Sequence, residues 1–276
     1  MRLQILFALL LLATVAYSEF MLEDVLVSIH DIQPDGSARV TENIKLIITG
    51  DQSQAAYDSG FSSNDISFWT SITALPDMKY HVNPAKVSIS DLRVRPQPRK
   101  KCNPIQGICH GEVVIEYSAK PISRENANIS NFGSSGLFMI DAYKPRTTRY
   151  KLDPDALSFL STPQGDILLA ENIHLKLVPP ADSVAMDLNP KPDGFTGTLP
   201  TKIGELTWSD TILVKFSVIF EVEEPLEKEV SGFFYGILSG FQGALTGQYG
   251  WAVIAMIIII VGGYIYITLE KRSGGS

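Results

Sequence analysis

The amino-acid sequence predicts a mainly β protein: an extracellular antiparallel β-sandwich, followed by a glycine-rich helix and one C-terminal transmembrane helix. Three observations lead to this fold class. An apolar segment opens the chain, apolar and polar residues alternate through its middle part, and an uncharged apolar run lies near its end. Hydrophobic residues make up 45% and charged residues 19% of the 276 positions, a composition that excludes a strongly disordered chain.

The first element, residues 1–18, has the features of a signal peptide. Arg2 provides the positive charge, residues 3–15 form an apolar stretch, and Ala16 and Ser18 place small side chains at positions −3 and −1 before Glu19. We therefore expect cleavage after Ser18. The alternative is an uncleaved N-terminal anchor, which is disfavoured because the apolar stretch is shorter than the about 20 residues that span a bilayer.

A β-hairpin is expected directly after this segment. Val25, Val27 and Ile29 alternate with more polar neighbours, and residues 34–36 (Pro-Asp-Gly) are typical turn residues. Residues 40–48 then resume in β-prone side chains, which predicts the second strand of the hairpin.

The later strands are short runs separated by Pro and Gly. They are expected at residues 87–94, 112–117, 136–141, 172–178, 183–187, 203–208 and 214–222. The last run has the sharpest alternation, with Val214, Phe216, Val218, Phe220 and Val222 on one face. So many short strands predict either one elaborated sandwich or two in tandem, over residues 19–125 and 126–229.

Two segments interrupt the strand pattern and are candidates for short helices. Residues 64–75 follow the possible N-caps Ser63 and Asn64, although part of this segment also suits a strand. Residues 153–160 begin with Asp-Pro-Asp, which places a proline and an acid in a first helical turn.

The two cysteines of the chain enclose a short loop. Cys102 and Cys109 are separated by six residues between two expected strands, a spacing that suits a disulfide closing a hairpin in an oxidising compartment. The alternative is a metal site that adds His110. We expect the disulfide, because two thiols and one histidine without a partner motif form an incomplete ligand set.

A basic cluster lies beside this loop and is the candidate anion-binding site. It consists of Arg93, Arg95, Arg99, Lys100 and Lys101. One interpretation is contact with an anionic glycan, a lipid headgroup or an acidic partner, and the other is a solvated hairpin tip. Nucleic acid is not expected as a partner, because the formal net charge is −7 and no long basic arm is present.

No catalytic constellation is recognisable, and we expect neither an enzyme nor a cofactor nor a metal site. The sequence contains no nucleophile elbow, no zinc-binding His-Glu-x-x-His and no phosphate-binding P-loop. Asn128 opens an Asn-Ile-Ser triplet in a polar segment and is therefore a candidate for glycosylation.

Residues 249–269 are expected to form the transmembrane helix. Residues 251–269 carry no charge, and at about 1.5 Å per residue they match the about 30 Å hydrocarbon thickness. Lys271 and Arg272 follow in the tail, residues 270–276, which the positive-inside rule places in the cytoplasm. The expected topology is a single-pass type I protein of the cell membrane with a large extracellular domain.

The segment before this span, residues 230–248, repeats glycine at helical spacing. The candidate helix-packing residues are Gly232, Gly236, Gly240, Gly243 and Gly247. Small residues four apart allow two helices to approach closely, which predicts self-association or docking on another membrane protein. Two alternatives stay open, a juxtamembrane spacer helix and a helical hairpin with the C-terminus outside.

The residues of the first hairpin resemble a known group of sequences. Residues 35–44, Asp-Gly-Ser-Ala-Arg-Val-Thr-Glu-Asn-Ile, are similar to the D-G-S-x-x-V-T-E-x-I motif of a family of predicted bacterial and archaeal membrane proteins of unknown function. The resemblance covers about a tenth of the chain. It implies a signal peptide, an extracellular β-sandwich and a later membrane span, and it implies no catalytic residues.

Two classes of function are compatible with this organisation. The first is a membrane-anchored surface protein with a structural or interaction role, which self-associates or joins an envelope assembly through the glycine-rich helix. The second is a surface ligand-binding module or an accessory subunit of a membrane complex. In both, the partners are the lipid bilayer and another protein, either a second copy or a different membrane or envelope protein.

Overall fold

The structure is a computed structural model that describes residues 19–122, 136–144 and 146–223. These residues belong to one compact unit that ends at Glu223, and they are mainly β, as predicted. In chain order the strands are β1 (Glu19–His30), β2 (Ala38–Thr49), β3 (Val87–Asn103), β4 (Ile108–Pro121), β5 (Phe138–Lys144), β6 (Thr147–Leu152), β7 (Leu160–Ser161), β8 (Ile167–Leu168), β9 (Ile173–Leu177), β10 (Val184–Asn189), β11 (Thr201–Lys202), β12 (Leu206–Ser209), β13 (Ile212–Leu213) and β14 (Ser217–Glu223).

Two larger sheets and one small sheet contain these strands. The order is β12-β9-β1-β2-β4-β3 in the six-stranded sheet, β11-β10-β14-β6-β5 in the five-stranded sheet and β13-β8-β7 in the small one. The six-stranded sheet thus takes strands from both ranges that the sequence analysis separated at residue 125. The pair β1 and β9 is parallel, which corrects the expectation of a purely antiparallel arrangement.

The predicted first hairpin is confirmed. β1 and β2 pair antiparallel from Glu19 opposite Thr49 to His30 opposite Arg39, with one irregularity between Leu22 and Asp24. Side chains alternate between buried and accessible along both strands, as a sheet with one face in the core requires.

One helix of the described residues was predicted and one was not. α1 (Asp51–Ser59) was missed because it buries only Ser53 and Tyr57 and therefore shows little apolar periodicity. α2 (Ile66–Thr73) confirms the helix expected in residues 64–75. Its N-cap is Asp65 rather than Ser63 or Asn64, since the Asp65 side chain accepts a hydrogen bond from the Ser67 backbone N–H.

Three other expectations need correction. The strand expected at residues 87–94 does not end there: β3 continues through the basic segment to Asn103. The helix expected at residues 153–160 is only a 3-10 turn over Pro154–Ala156. The last strand begins at Ser217, because Lys215 adopts a positive φ of 49° that interrupts extended backbone, and Val214 is 49% exposed instead of sharing the buried face.

One hydrophobic core takes residues from both larger sheets and from both helices. Its largest fully buried side chains include Tyr57 on α1, Trp69 on α2, Tyr117 on β4, Trp208 on β12 and Phe220 on β14. Ring contacts within this core include the stacked pair of Tyr150 and Phe220, which lie opposite each other on the neighbouring strands β6 and β14. The six-stranded sheet packs one face against this core, and its other face is accessible to solvent.

No helix within residues 19–122, 136–144 and 146–223 is long and apolar enough to cross a membrane. The predicted signal peptide (1–18), the glycine-rich segment (230–248), the transmembrane segment (249–269), the tail (270–276) and Asn128 all lie outside the described residues.

Candidate functional site

A polar cluster of three side chains lies inside the core. The Glu42 carboxylate, which is fully buried, accepts hydrogen bonds from the His81 backbone N–H at 2.9 Å and the Tyr117 hydroxyl at 2.5 Å. Its other oxygen lies 2.8 Å from His81 Nδ1. Burial and the nearby Glu42 charge raise the pKa of Tyr117 well above its ordinary value.

This cluster connects strands and a loop rather than forming an accessible reaction centre. Glu42 lies on β2, Tyr117 lies on β4, and His81 lies in the loop that precedes β3. None of the three residues is more than 1% exposed, so a substrate has no access to them. His81 Nε2 is buried and has no hydrogen-bond partner among the residues that the structure describes.

Residues 35–44, the Asp-Gly-Ser motif noted in the sequence, have structural roles in the hairpin of β1 and β2. The Asp35 carboxylate accepts from the Ser37 backbone N–H at 2.9 Å and from the Ser37 hydroxyl at 2.6 Å, and these bonds lower the pKa of Asp35. Gly36 adopts a φ of 82°, and a Cβ there would lie 3.0 Å from Ile140. The motif glutamate is Glu42, the centre of the buried cluster.

The hairpin of β3 and β4 is fastened to α1 by two side chains. The Tyr57 hydroxyl lies 2.7 Å from the Gln97 carbonyl oxygen and accepts from the Glu112 backbone N–H at 3.0 Å. Burial raises the pKa of Tyr57 to about 12. Arg99 donates to both carboxylate oxygens of Asp58, at 2.9 and 2.7 Å, and also contacts Gln54.

The end of this hairpin is closed by the predicted disulfide, Cys102–Cys109. The Asn103 side-chain oxygen accepts from the backbone N–H groups of Ile105 and Gln106, and the Gly107 carbonyl accepts from Gly50 and Gln54, so the loop is held on both sides. His110 lies 2.8 Å from Glu23. In the described part of the chain, no group of three or more ligating side chains is arranged to hold a metal.

The solvent-facing side of β2, β4 and β3 is basic, and we call it the basic face. Its carboxylates are Asp91, Glu112 and Glu116. Its exposed basic side chains are Arg39, Lys45, Arg93, Arg95, Lys100, Lys101 and Lys120. Cross-strand register brings them together: Arg39 lies opposite Ser118, Arg93 opposite Glu116, and Lys100 opposite His110. A chain with a net charge of −7 therefore carries a locally positive surface.

Only some cations of the basic face are neutralised. Arg95 pairs with Glu116 at 3.1 Å, and Lys45 pairs with Asp24 at 2.9 Å, a hydrogen bond that raises the pKa of Lys45. Lys120 lies 3.6 Å from Asp91. Of the seven cations of the basic face, the other four, Arg39, Arg93, Lys100 and Lys101, have no acidic partner among the described residues.

Two shallow grooves accompany these free cations, one at each end of the basic face. Arg39 and Arg93 line a groove of about 200 Å³, together with Asp91 and Glu116. Lys100 and Lys101 line a groove of about 240 Å³ near the disulfide loop. The first groove has a mainly polar lining, which suits small anionic groups rather than a large apolar ligand. The second groove is also lined by Pro98 and by the carboxylates Glu23 and Glu112.

The predicted basic cluster is thus divided by the fold. Arg93, Lys100 and Lys101 are exposed on the basic face, Arg95 is paired there, and Arg99 turns toward α1. The additional cations Arg39, Lys45 and Lys120 come from β2 and the end of β4. Sequence reasoning missed them because only the register of the sheet shows that they share this surface.

No family model matches the chain, and a search of curated proteins finds no match either.

Proposed function

We propose that this chain is a membrane-anchored cell-surface interaction protein whose exterior β domain binds an anionic partner through the basic face. The observation that carries the proposal is that four exposed cations share the basic face, Arg39, Arg93, Lys100 and Lys101, and have no acidic partner in the part of the chain that the structure describes, although the chain as a whole is acidic. Cations left unpaired on a rigid sheet attract anions without first having to break an internal ion pair.

The compartment and the anchor complete this proposal. The Cys102–Cys109 disulfide suits an oxidising exterior. Residues 1–18 serve as the signal peptide and residues 249–269 as the single type I span. Exterior residues then fold into one elaborated β-sandwich on the cell surface. No catalytic step is assigned, because the buried polar cluster serves the fold.

Binding of a polyanion tests the proposal. Full-length protein in phosphatidylcholine nanodiscs is applied to immobilised dextran sulfate at increasing salt. We expect binding that weakens with salt and falls further when Arg93 and Lys100 are both replaced by glutamate. The matched control is Lys151→Glu, an exposed lysine on β6 in the other sheet. Absence of binding, or equal loss in the control, would contradict the proposal.

Self-association is a second candidate function, favoured by the glycine spacing of residues 230–248. Gly236 and Gly240 lie four residues apart, as small residues do where transmembrane helices pack. Replacing both with leucine is expected to weaken cross-linking in membranes. Unchanged cross-linking would indicate that this segment is a spacer.

A further inference from the structure

The tip of the β3–β4 hairpin presents an isoleucine to solvent. Ile105 is 93% exposed, far more than the other exposed large apolar side chains of the described residues. Single exposed apolar residues are common on protein surfaces. This one lies in a loop that is closed by a disulfide and held by Asn103, Gly50 and Gln54, so its position is fixed before any partner arrives.

Further apolar side chains lie on the same end of the sheet. Met21, which is 50% exposed, pairs across the strands with Ile47, and Ile47 pairs with His110. Lys100 lies opposite His110 in the same row. The hairpin end therefore carries apolar side chains next to cations.

The cations form a collar behind the tip. Lys100 and Lys101 immediately precede the disulfide, and Lys45 lines the same groove. The carboxylates Glu23 and Glu112 line it too, and Glu23 is paired with His110. Arg39 and Arg93 lie at the other end of the basic face. The distance between the two ends follows from β4, where Ser118 lies opposite Arg39 and His110 lies opposite Lys100. Eight residues separate Ser118 from His110, about 26 Å at about 3.3 Å per residue.

We propose that this hairpin tip inserts into the surface of an anionic lipid bilayer, with Ile105 at the boundary of headgroups and acyl chains and Lys100 and Lys101 on lipid phosphates. The inference rests on the proposed function, because it names the anionic partner that part of the basic face contacts. An apolar tip with a basic collar matches a surface whose charge is outside and whose apolar phase lies beneath. A soluble polyanion offers no apolar phase for Ile105.

The expected bilayer affinity has two contributions, burial of the Ile105 side chain and attraction of the lysines to the lipid phosphates. Full burial of an isoleucine side chain corresponds to about 10-fold to 100-fold in affinity, and each lysine near an anionic bilayer to about fivefold. Arg39 and Arg93 contribute little to bilayer binding, because they lie more than a Debye length from the tip.

Vesicle capture tests the inference with full-length protein. Protein in phosphatidylcholine nanodiscs is mixed with phosphatidylcholine vesicles that contain about one third phosphatidylglycerol, and flotation measures the bound fraction. We expect Ile105→Ser to lower vesicle affinity by about tenfold or more and to leave dextran sulfate binding unchanged. The matched control is Ile212→Ser, which removes an isoleucine that is 47% exposed elsewhere.

Charge variants separate this inference from the proposed function. The double variant Lys100→Gln with Lys101→Gln should weaken both vesicle capture and dextran sulfate binding. Arg39→Gln with Arg93→Gln should weaken dextran sulfate binding alone. Vesicle capture that Ile105→Ser does not change, or equal capture of vesicles lacking phosphatidylglycerol, would overturn the insertion while leaving the proposed function standing. Failure of the unmodified protein to bind dextran sulfate would overturn both the insertion and the proposed function.

Discussion

Replacing Glu42 with alanine is the most informative perturbation of this fold. The change removes the acceptor of the His81 backbone N–H, the His81 ring and the Tyr117 hydroxyl, all inside the core. Each buried donor left without a partner costs about 1–3 kcal/mol, and this substitution removes the acceptor of the two donors that the backbone and Tyr117 supply. We therefore expect the free energy of unfolding to fall by about 3–5 kcal/mol, from the lost hydrogen bonds and the cavity left by the side chain.

Two further substitutions test whether the loss of stability comes from the hydrogen bonds to Glu42. Glu42→Gln keeps one side-chain oxygen for the His81 N–H and the Tyr117 hydroxyl and disturbs only the ring contact, so its expected cost is about 1–3 kcal/mol. Tyr117→Phe removes a single donor. Its cost should shrink in the Glu42→Ala background, because the acceptor of that hydroxyl is already gone.

Urea unfolding of the detergent-solubilised protein, followed by tryptophan fluorescence, measures these changes. Trp69 and Trp208 are both fully buried and report loss of the core. The control is Glu116→Ala, which removes a half-buried carboxylate paired with Arg95 and should cost less than about 1 kcal/mol. A cost of Glu42→Ala no larger than that control, or full additivity with Tyr117→Phe, would refute the role of Glu42 as the anchor of the cluster.

Three further predictions concern the β3–β4 hairpin. Gly111→Ala would place a Cβ 2.7 Å from the Tyr57 ring and should cost about 1–3 kcal/mol in a thermal unfolding experiment, whereas Gly204→Ala meets nothing within 4 Å and should be nearly neutral. Because the pKa of Tyr57 rises from 10.0 to about 12 on folding, this residue's contribution to stability is complete below pH 10 and is lost as the pH rises toward 12. Tyr57→Phe should therefore flatten the alkaline fall in unfolding free energy, and an unchanged slope would contradict the assignment. Cys102→Ser should release one titratable thiol, Cys109, and lower stability by about 2–3 kcal/mol without loss of the fold; a titration that finds no free thiol would contradict the pairing.

The buried faces of the main strands are determined by local sequence. Val25, Val27 and Ile29 alternate with accessible neighbours, and the structure buries all three. The Asp-Gly-Ser turn and the short cysteine spacing also act over a few residues. Such features are readable from sequence because a strand places alternate side chains on opposite faces whatever its neighbours are.

Features that depend on partners distant in sequence were decided by tertiary structure. The parallel pairing of β1 with β9 joins Val25 to Ile173, and nothing local to either strand specifies it. Glu42 occupies an inward position between Val40 and Ile44, yet its partners His81 and Tyr117 come from other parts of the chain. α1 depends on the contact of Tyr57 with the hairpin rather than on an apolar stripe.

The basic face shows the same division. The sequence shows its cluster of basic residues on β3. In the fold, however, Arg99 pairs with Asp58, and Arg39 of β2 joins the exposed cations. Sequence determines the residue types and their local alternation. Strand register and helix packing decide which charges are neutralised and which stay exposed together, because those choices depend on the summed contacts of the whole core.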